Sequence, residues 1–500
     1  MEKRFQKEAL LFLYCLLTAA VMITLCSRSS PLYPFNDWND TNCFFTVGKA
    51  MMNGRVVYRD IYEQKGVLLY FLYGLGWLLS HRSFLGAWVL ECLCFAAFLR
   101  TAALTAEKRG VLRSFCLVMP ALAAILCSSY AFFLGGSAEE IALPFLYPAL
   151  HVFLTTEDGC LPAPRKIVLL GAMAGCVLWI KFTLLGLYVG YVLFIALLLI
   201  LRRDFAALGK AAGFFLLGVG LATLPWLLYF GANSALGDWI GVYFLDNMSH
   251  YSSDIVQDYG RLYFLRENMS HAILWNGRTS LLIAAGALAV LCGHRKWGFK
   301  AGFLLMYLLA VILPFIGGTA FDYYGYAYAP LAVPGALAAA RLLESGLARL
   351  RLKIGGWARA SALLLCLCLV AGAGLFARRH SINSFYADYR REDMWYSRFA
   401  EEITAAADQS LLNYGSLDMG LYTLTGYVPQ TRFFCHLNLN LPELEEEMDA
   451  YVRERQTAFL VMKIEPPEWL LAYYEPVDAA ESINQFEGIS SRYYLLRRRA

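Results

Sequence analysis

The chain has 500 residues, of which 59% are apolar and only 16% charged, and its mean hydropathy is +0.48. Soluble domains run at about 45–50% apolar and about 25% charged, so disorder, a coiled coil, a secreted disulfide scaffold and a cytosolic enzyme are all excluded. The net charge of +4 gives no reason to invoke nucleic acid, and the class that remains is an all-α polytopic membrane protein.

In chain order, the basic start Met1-Glu2-Lys3-Arg4-Phe5-Gln6-Lys7 leads into an apolar run over about 10–26. That run is long for a signal-peptide core and has no small-x-small cleavage site, so it reads as a retained first span. Ten further runs of spanning character follow, at about 84–103, 114–130, 139–155, 166–181, 183–201, 208–230, 279–293, 300–317, 323–341 and 358–377. The expectation is therefore about eleven transmembrane helices. The apolar stretch 67–80 reaches only roughly 21 Å as a helix, short of a hydrocarbon core of about 30 Å.

Charge decides how 67–80 is placed. If it does not cross, Arg100/Lys108/Arg109/Arg113, Arg165/Lys166, Arg202/Arg203/Lys210, Arg295/Lys296/Lys300 and Arg341/Arg349/Arg351/Lys353/Arg359 all share the side of the N-terminus. With Lys3, Arg4 and Lys7 that side holds 20 Lys and Arg. If the stretch crossed, every later cluster would change sides. The positive-inside rule thus makes 67–80 an interfacial or re-entrant helix, with the N-terminus in the cytoplasm. The outer face then carries loops 28–83 and 231–278. The tail 378–500 is more polar, with short strand-like runs at 458–462 and 493–496, and reads as a small extracytoplasmic α/β domain after a membrane domain 1–377.

The thirteen cysteines mostly lie in apolar runs, where cysteine behaves as a small hydrophobe. There is no Cys-x-x-Cys pair and the seven histidines are scattered, which argues against a zinc site. Cys43 and Cys435 both fall on the outer side, where a disulfide between them is an open alternative.

Ionisable groups at a membrane edge are costly and are therefore functional candidates. The densest outer set is Asn36-Asp37-Trp38-Asn39-Asp40 followed by Tyr58-Arg59-Asp60-Ile61-Tyr62-Glu63-Gln64-Lys65-Gly66. Between them, Phe44, Val47 and Met51 recur at helical spacing, which puts Asp40 at the N-terminus of an amphipathic helix, where it could serve only as an N-cap. A second set is Gly135-Gly136-Ser137-Ala138-Glu139-Glu140, with two carboxylates at a helix start, which the dipole alone would favour. Lys181 stands in apolar surroundings, where it either snorkels or meets an anionic phosphate. Asp322-Tyr323-Tyr324-Gly325-Tyr326 opens the tenth run, where interfacial aromatics are expected in any case. Four such groups on one membrane face suit chemistry on a lipid-linked substrate whose head group lies in the outer interface.

The sequence Ser30-Pro31-Leu32-Tyr33-Pro34-Phe35-Asn36-Asp37-Trp38-Asn39-Asp40-Thr41-Asn42, with Gly48-Lys49, Gly54, Tyr58-Arg59-Asp60 and Gln64-Lys65-Gly66, resembles bacterial GT-C glycosyltransferases. These belong with the protein O-mannosyltransferases and the lipid A aminoarabinose transferases. The tail segments Leu412-Asn413-Tyr414-Gly415 and Leu421-Tyr422-Thr423-Leu424-Thr425-Gly426 look like the outer domain of the same enzymes. The resemblance implies inverting transfer of a sugar from a polyprenyl-phosphate carrier to an extracytoplasmic glycan, lipid or protein acceptor. It implies Asp40 as the catalytic carboxylate, acting as general base or metal ligand. Lys65, Lys181 and Arg278 would hold the carrier phosphate. Glu139 or Glu140 would orient hydroxyls, Tyr323 and Tyr324 would line the pocket, and Asp37, Asp60 and Glu63 would complete the substrate-binding set. Two departures stand out. Val67 replaces the proline many relatives have after Lys-Gly, and no second carboxylate directly follows Asp40, which leaves a divalent metal (Mg or Mn) open. The rival readings are a lipid-linked oligosaccharide flippase or transporter, a polysaccharide polymerase or ligase, and a non-catalytic envelope scaffold. A transporter should show internal repeats and broken spans meeting at the midplane, and no repeat is visible.

Overall fold

A computed structural model describes residues 2–250, 254–349, 358–439, 441–484 and 489–499. Arg351 and Lys353 of the last basic cluster lie outside the described residues. The chain divides into two interleaved compact units. One comprises Met1–Ser27, Leu90–Pro225 and Ser253–Ser384, and the other Arg28–Val89, Trp226–Ser252 and Phe385–Ala500.

Each of the eleven apolar runs carries a helix: Glu2–Cys26, Leu85–Lys108, Leu112–Cys127, Ala138–Thr155, Pro164–Leu178, Gly186–Leu201, Phe205–Ala232, Gly277–Leu291, Trp297–Ile312, Ala329–Arg349 and Ala358–His380. Helix formation follows from long apolar runs that must satisfy their own backbone groups in lipid. Crossing asks for more. Among the described residues, six helical segments are long and apolar enough to span a bilayer: Phe5–Cys26, Leu85–Lys108, Phe182–Leu201, Phe205–Ala232, Trp297–Phe315 and Asp322–Arg349. Helices such as Leu112–Cys127 and Pro164–Leu178 have 16 and 15 residues, or roughly 22–24 Å, a few ångströms short of the hydrocarbon core. The protein is a multi-pass membrane protein, and among the described residues the bent pair Arg261–Trp275 and Gly277–Leu291 would add a seventh such segment if it is one span.

Within the first unit the helices Arg261–Trp275 and Gly277–Leu291 meet at 98°. Asn276 fixes the corner. Its amide donates to the Ala272 carbonyl at 2.8 Å and its side-chain oxygen accepts the Ala131 N–H at 2.8 Å. Both contacts satisfy groups that a helix break exposes.

The second unit gathers the first outer loop and the tail. Helix Asn39–Met52 packs on Val67–Leu79 with almost no side chain between them at Gly48 and Gly74. A Cβ on Gly48 would lie 2.6 Å from the Gly74 nitrogen and from the Tyr70 carbonyl oxygen. Val67–Leu79 is the short apolar helix anticipated over 67–80, with 13 residues. The tail forms strands β1 (Leu411–Tyr414), β2 (Phe459–Met462), β3 (Tyr474–Asn484) and β4 (Ile489–Arg498). They lie in the order β1-β2-β4-β3, parallel between β1 and β2 and antiparallel elsewhere. Every side chain of β2 is buried, as expected of a central strand. Helices Trp395–Ala405 and Pro442–Arg453 complete the α/β tail anticipated from its composition.

Candidate functional site

In the second unit, Asp40 lies in the first turn of helix Asn39–Met52, but Trp38 holds the N-cap position and makes no side-chain capping bond. Asp40 is therefore not the cap. Half-buried, it places its carboxylate at the positive end of the helix dipole. Glu63 and Lys65 belong to the same electrostatic neighbourhood. Burial pushes the Glu63 carboxyl above its ordinary range, Lys65 pulls it down, and Asp40 adds to the rise. The Glu63 carboxylate accepts the Lys65 backbone N–H at 3.0 Å, and the Tyr70 hydroxyl accepts the same N–H at 2.7 Å.

The turn before Lys65 is shaped by Tyr58, whose φ of 72° is unusual for a non-glycine residue. Its hydroxyl donates to the Lys65 carbonyl at 2.6 Å and its ring stacks on Phe230 at 5.6 Å. Those contacts hold a conformation that costs of order 1–3 kcal/mol, and they fix where Lys65 leaves the backbone.

Two other acids of this loop have structural partners. Asp37 is ion-paired with Arg28 at 2.5 Å, and the Arg28 guanidinium lies 4.0 Å from the centre of the Tyr386 ring. Asp60 takes Arg59 at 2.8 Å and the Val56 N–H at 2.8 Å, and the Arg59 contact holds its carboxyl below the ordinary range.

In the first unit, the two adjacent glutamates have different tasks. Ser137 caps helix Ala138–Thr155 by accepting the Glu140 N–H at 3.0 Å, and Glu140 reaches back to the Gly136 N–H at 2.8 Å. The spacing is that of a capping box, with the return bond taken one residue before the cap. Glu139 instead pairs with Lys181 at 2.7 Å, both almost entirely buried. The Lys181 ammonium lies 3.3 Å from the centre of the Tyr324 ring and 5.8 Å from that of Tyr323. Aromatic faces and a carboxylate together compensate a buried cation. Arg278 is elsewhere, exposed and 5.2 Å from the Phe376 ring.

The structure thus assembles Glu139, Lys181, Tyr323 and Tyr324 in one unit and Asp40, Glu63 and Lys65 in the other. Asp37, Asp60, Glu140 and Arg278 are engaged by other partners. Cys43 and Cys435 come together across 392 positions with their sulfurs 4.0 Å apart and are free thiols, about twice a disulfide length. Among the described residues, no three His, Cys, Asp or Glu side chains converge as a metal-ligand set. Among these described residues, the acids around Asp40 do not make a ready cage for Mg or Mn.

Sequence reasoning missed a buried polar cluster in the second unit. The Lys49 ammonium donates to the Tyr422 and Tyr427 carbonyls at 2.6 and 2.5 Å. Thr46 donates to Asp418 at 2.7 Å, and Asp418 also accepts the Gly420 N–H at 2.8 Å. Burial draws the Lys49 pKa down to about 7, partly offset by Asp418 and reinforced by Arg82. Glu91, wholly buried in helix Leu85–Lys108, was missed as well.

No family model matches the sequence, and no curated protein matches it. Solved structures do match. ArnT from Cupriavidus metallidurans, a lipid A aminoarabinose transferase of the GT-C group, overlays with a TM-score of 0.58 in its crystal structure bound to undecaprenyl phosphate. The identity is 12%, over 97% of each chain. Its apo structure gives a TM-score of 0.54 at 14% identity, again over 97% of each chain. A looser overlap, with a TM-score of 0.45, is seen with the oligosaccharyltransferase of Archaeoglobus fulgidus, at 14% identity over 90% of this chain and 68% of that one. The chain therefore has the fold of the GT-C transferase ArnT along almost its whole length.

Proposed function

We propose that the chain is an integral membrane glycosyltransferase that moves a sugar from a polyprenyl-phosphate carrier to an extracytoplasmic glycan, lipid or protein acceptor. The observation that carries this reading is the end-to-end fold match to ArnT, which was crystallised with undecaprenyl phosphate. A carboxylate at a helix start and a buried lysine, both felt electrostatically by Glu63 of the first loop, supply fitting chemistry. In this reading eleven helices cross, the N-terminus is cytoplasmic, and the tail 378–500 lies outside.

The mechanism follows from the charges. Asp40 takes the proton of the acceptor hydroxyl as its oxygen bonds to the anomeric carbon. The bond from that carbon to the carrier phosphate breaks on the opposite side, which inverts the configuration. The departing phosphate carries the electron pair, and Lys65 stabilises the charge that develops on it. The sugar in this reading is a hexose, and membrane lipids surround the carrier tail.

The test is to offer radiolabelled polyprenyl-phosphate sugars to membranes containing the protein and identify the product. Labelled product that disappears with Asp40→Asn supports the reading. Absence of product from every carrier and acceptor would favour a flippase.

A further inference from the structure

An open pocket of about 260 Å³ lies in the first unit, between helix Arg261–Trp275 and the segment leading into Asp322. Its polar wall is Glu267, Asn268, His271 and Asp322, and its apolar wall includes Phe315 and Phe321. Resting on the glycosyltransferase reading above, we propose that this pocket receives a monosaccharide ring, with Glu267 and Asp322 accepting hydrogen bonds from its hydroxyl groups and Phe321 covering its apolar face.

Three observations favour a sugar. The volume is small for a drug-sized ligand, whose pockets run from about 300 Å³ upward, and suits one ring. The polar wall presents two carboxyl groups, which accept paired hydroxyls well and oppose a phosphate. The aromatic wall is also held in place. Phe321 stacks on Tyr323 at 5.7 Å with an interplanar angle of 8°, and it contacts Tyr324 at 5.8 Å. His271 lies 3.4 Å from Asp322 and 4.6 Å from the Trp275 ring, which holds one wall of the pocket.

The position adds a fourth argument. Tyr323 and Tyr324 are the rings against which the Lys181 ammonium sits. The same pair of tyrosines therefore separates a buried cation from an acid-lined pocket. A glycosyl phosphate has that polarity, with an anionic end and a hydroxyl-rich end. An acceptor sugar offers the same ring chemistry, so the source is decided by experiment.

Saturation-transfer NMR on the full chain in detergent micelles, with free glucose, mannose and glucosamine as probes, should show transfer to at least one sugar. The signal should fall by more than half in Glu267→Gln/Asp322→Asn at an unchanged thermal midpoint. If the double variant fails to fold, the exposed single variant Glu267→Gln carries the same expectation. No transfer to any of the three sugars, equal transfer to wild type and variant, or displacement of the sugar by inorganic phosphate would each overturn the proposal. In the transfer assay, Asp322→Asn should raise one KM at least tenfold with a smaller change in kcat. The donor KM moves if the ring belongs to the carrier, and the acceptor KM if it belongs to the acceptor. Unmoved KM values with transfer intact refute the pocket and leave the enzyme reading standing. Absence of transfer in the wild type refutes the enzyme reading, and the NMR result still decides the pocket.

Discussion

Glu139 and Lys181, 42 positions apart, form a 2.7 Å ion pair with 0% and 8% of their side-chain surfaces exposed. Two charges removed from water are tolerable only together. Breaking such a pair from one side costs about 3–5 kcal/mol, whereas replacing both partners is often close to neutral. Glu139→Gln should therefore lower the thermal midpoint in detergent sharply, and Glu139→Gln/Lys181→Met should recover most of the loss. Tryptophan fluorescence melts of wild type, both single variants and the double variant check this. Equal losses in single and double variants would show that the pair is not coupled.

Lys49 gives a pH prediction with a definite sign. Its folded pKa is drawn down to about 7 by burial, against about 10.4 in an unfolded chain. Between those values the unfolded chain holds a proton that the folded chain has released, so Lys49 makes stability rise with pH. The destabilising contribution is fully present below pH ~7 and is relieved as pH climbs toward ~10. Asp418, whose carboxyl is pushed up by burial, acts in the opposite sense from about pH 4 upward. Urea midpoints at pH 7 and pH 9.5 should therefore diverge more in wild type than in Lys49→Met. A slope unchanged by the substitution would mean that Lys49 titrates normally.

Much of this was legible in the sequence because the signals are local. Apolar runs mark helices, and the 13-residue length of Val67–Leu79 already set it apart. The buried strand Phe459–Met462 announced itself through five consecutive apolar residues beginning at Ala458. The roles of Glu139 and Glu140 stayed undecided in the sequence, although Ser137-x-x-Glu140 has the spacing of a capping box and carried an unused signal. Lys49 was not legible. Its carbonyl partners are 373 and 378 positions away, and a single lysine on an amphipathic helix ordinarily faces water. Glu91 had a usable signal, as a lone acid inside an apolar run. The number of crossings is less legible, because hydropathy fixes that a helix forms more firmly than that it reaches across.

The approach of helices Asn39–Met52 and Val67–Leu79 predicts a steric effect near Asp40. Gly48→Ala would set a methyl group 2.6 Å from the Gly74 nitrogen and the Tyr70 carbonyl oxygen. Both are backbone atoms and can yield only if the helices part. Overpacking of this kind costs about 1–3 kcal/mol. The thermal midpoint should fall, and transfer should fall with it, because the helix that moves carries Asp40. The exposed site Gly54 has open space around it but a φ of 85°, so Gly54→Asn, which tolerates that conformation, should be close to neutral. A neutral Gly48→Ala would show that the two helices are not closely packed.

The contrast between Asp37 and Asp40 separates structure from chemistry within four residues. Asp37 is held by Arg28, itself buried against Tyr386, so Asp37→Asn removes a partner from a buried guanidinium. Hydrogen bonds to charged groups are worth roughly 1.5–3 kcal/mol. Because about a third of the Asp37 side chain is exposed, a loss of about 1 kcal/mol is the reasonable expectation. Asp40→Asn weakens a favourable interaction with the helix dipole, about 0.3–1 kcal/mol. If Asp40 is the general base, its loss should slow transfer by about 10²–10⁴-fold. Asp37→Asn should therefore lower transfer only as far as it lowers the folded population, and cooling should restore the rate. Asp40→Asn should fold normally and stay inactive at every temperature. Rates and melts measured on the same purified samples make the comparison, and an active Asp40→Asn would remove Asp40 from the catalytic role.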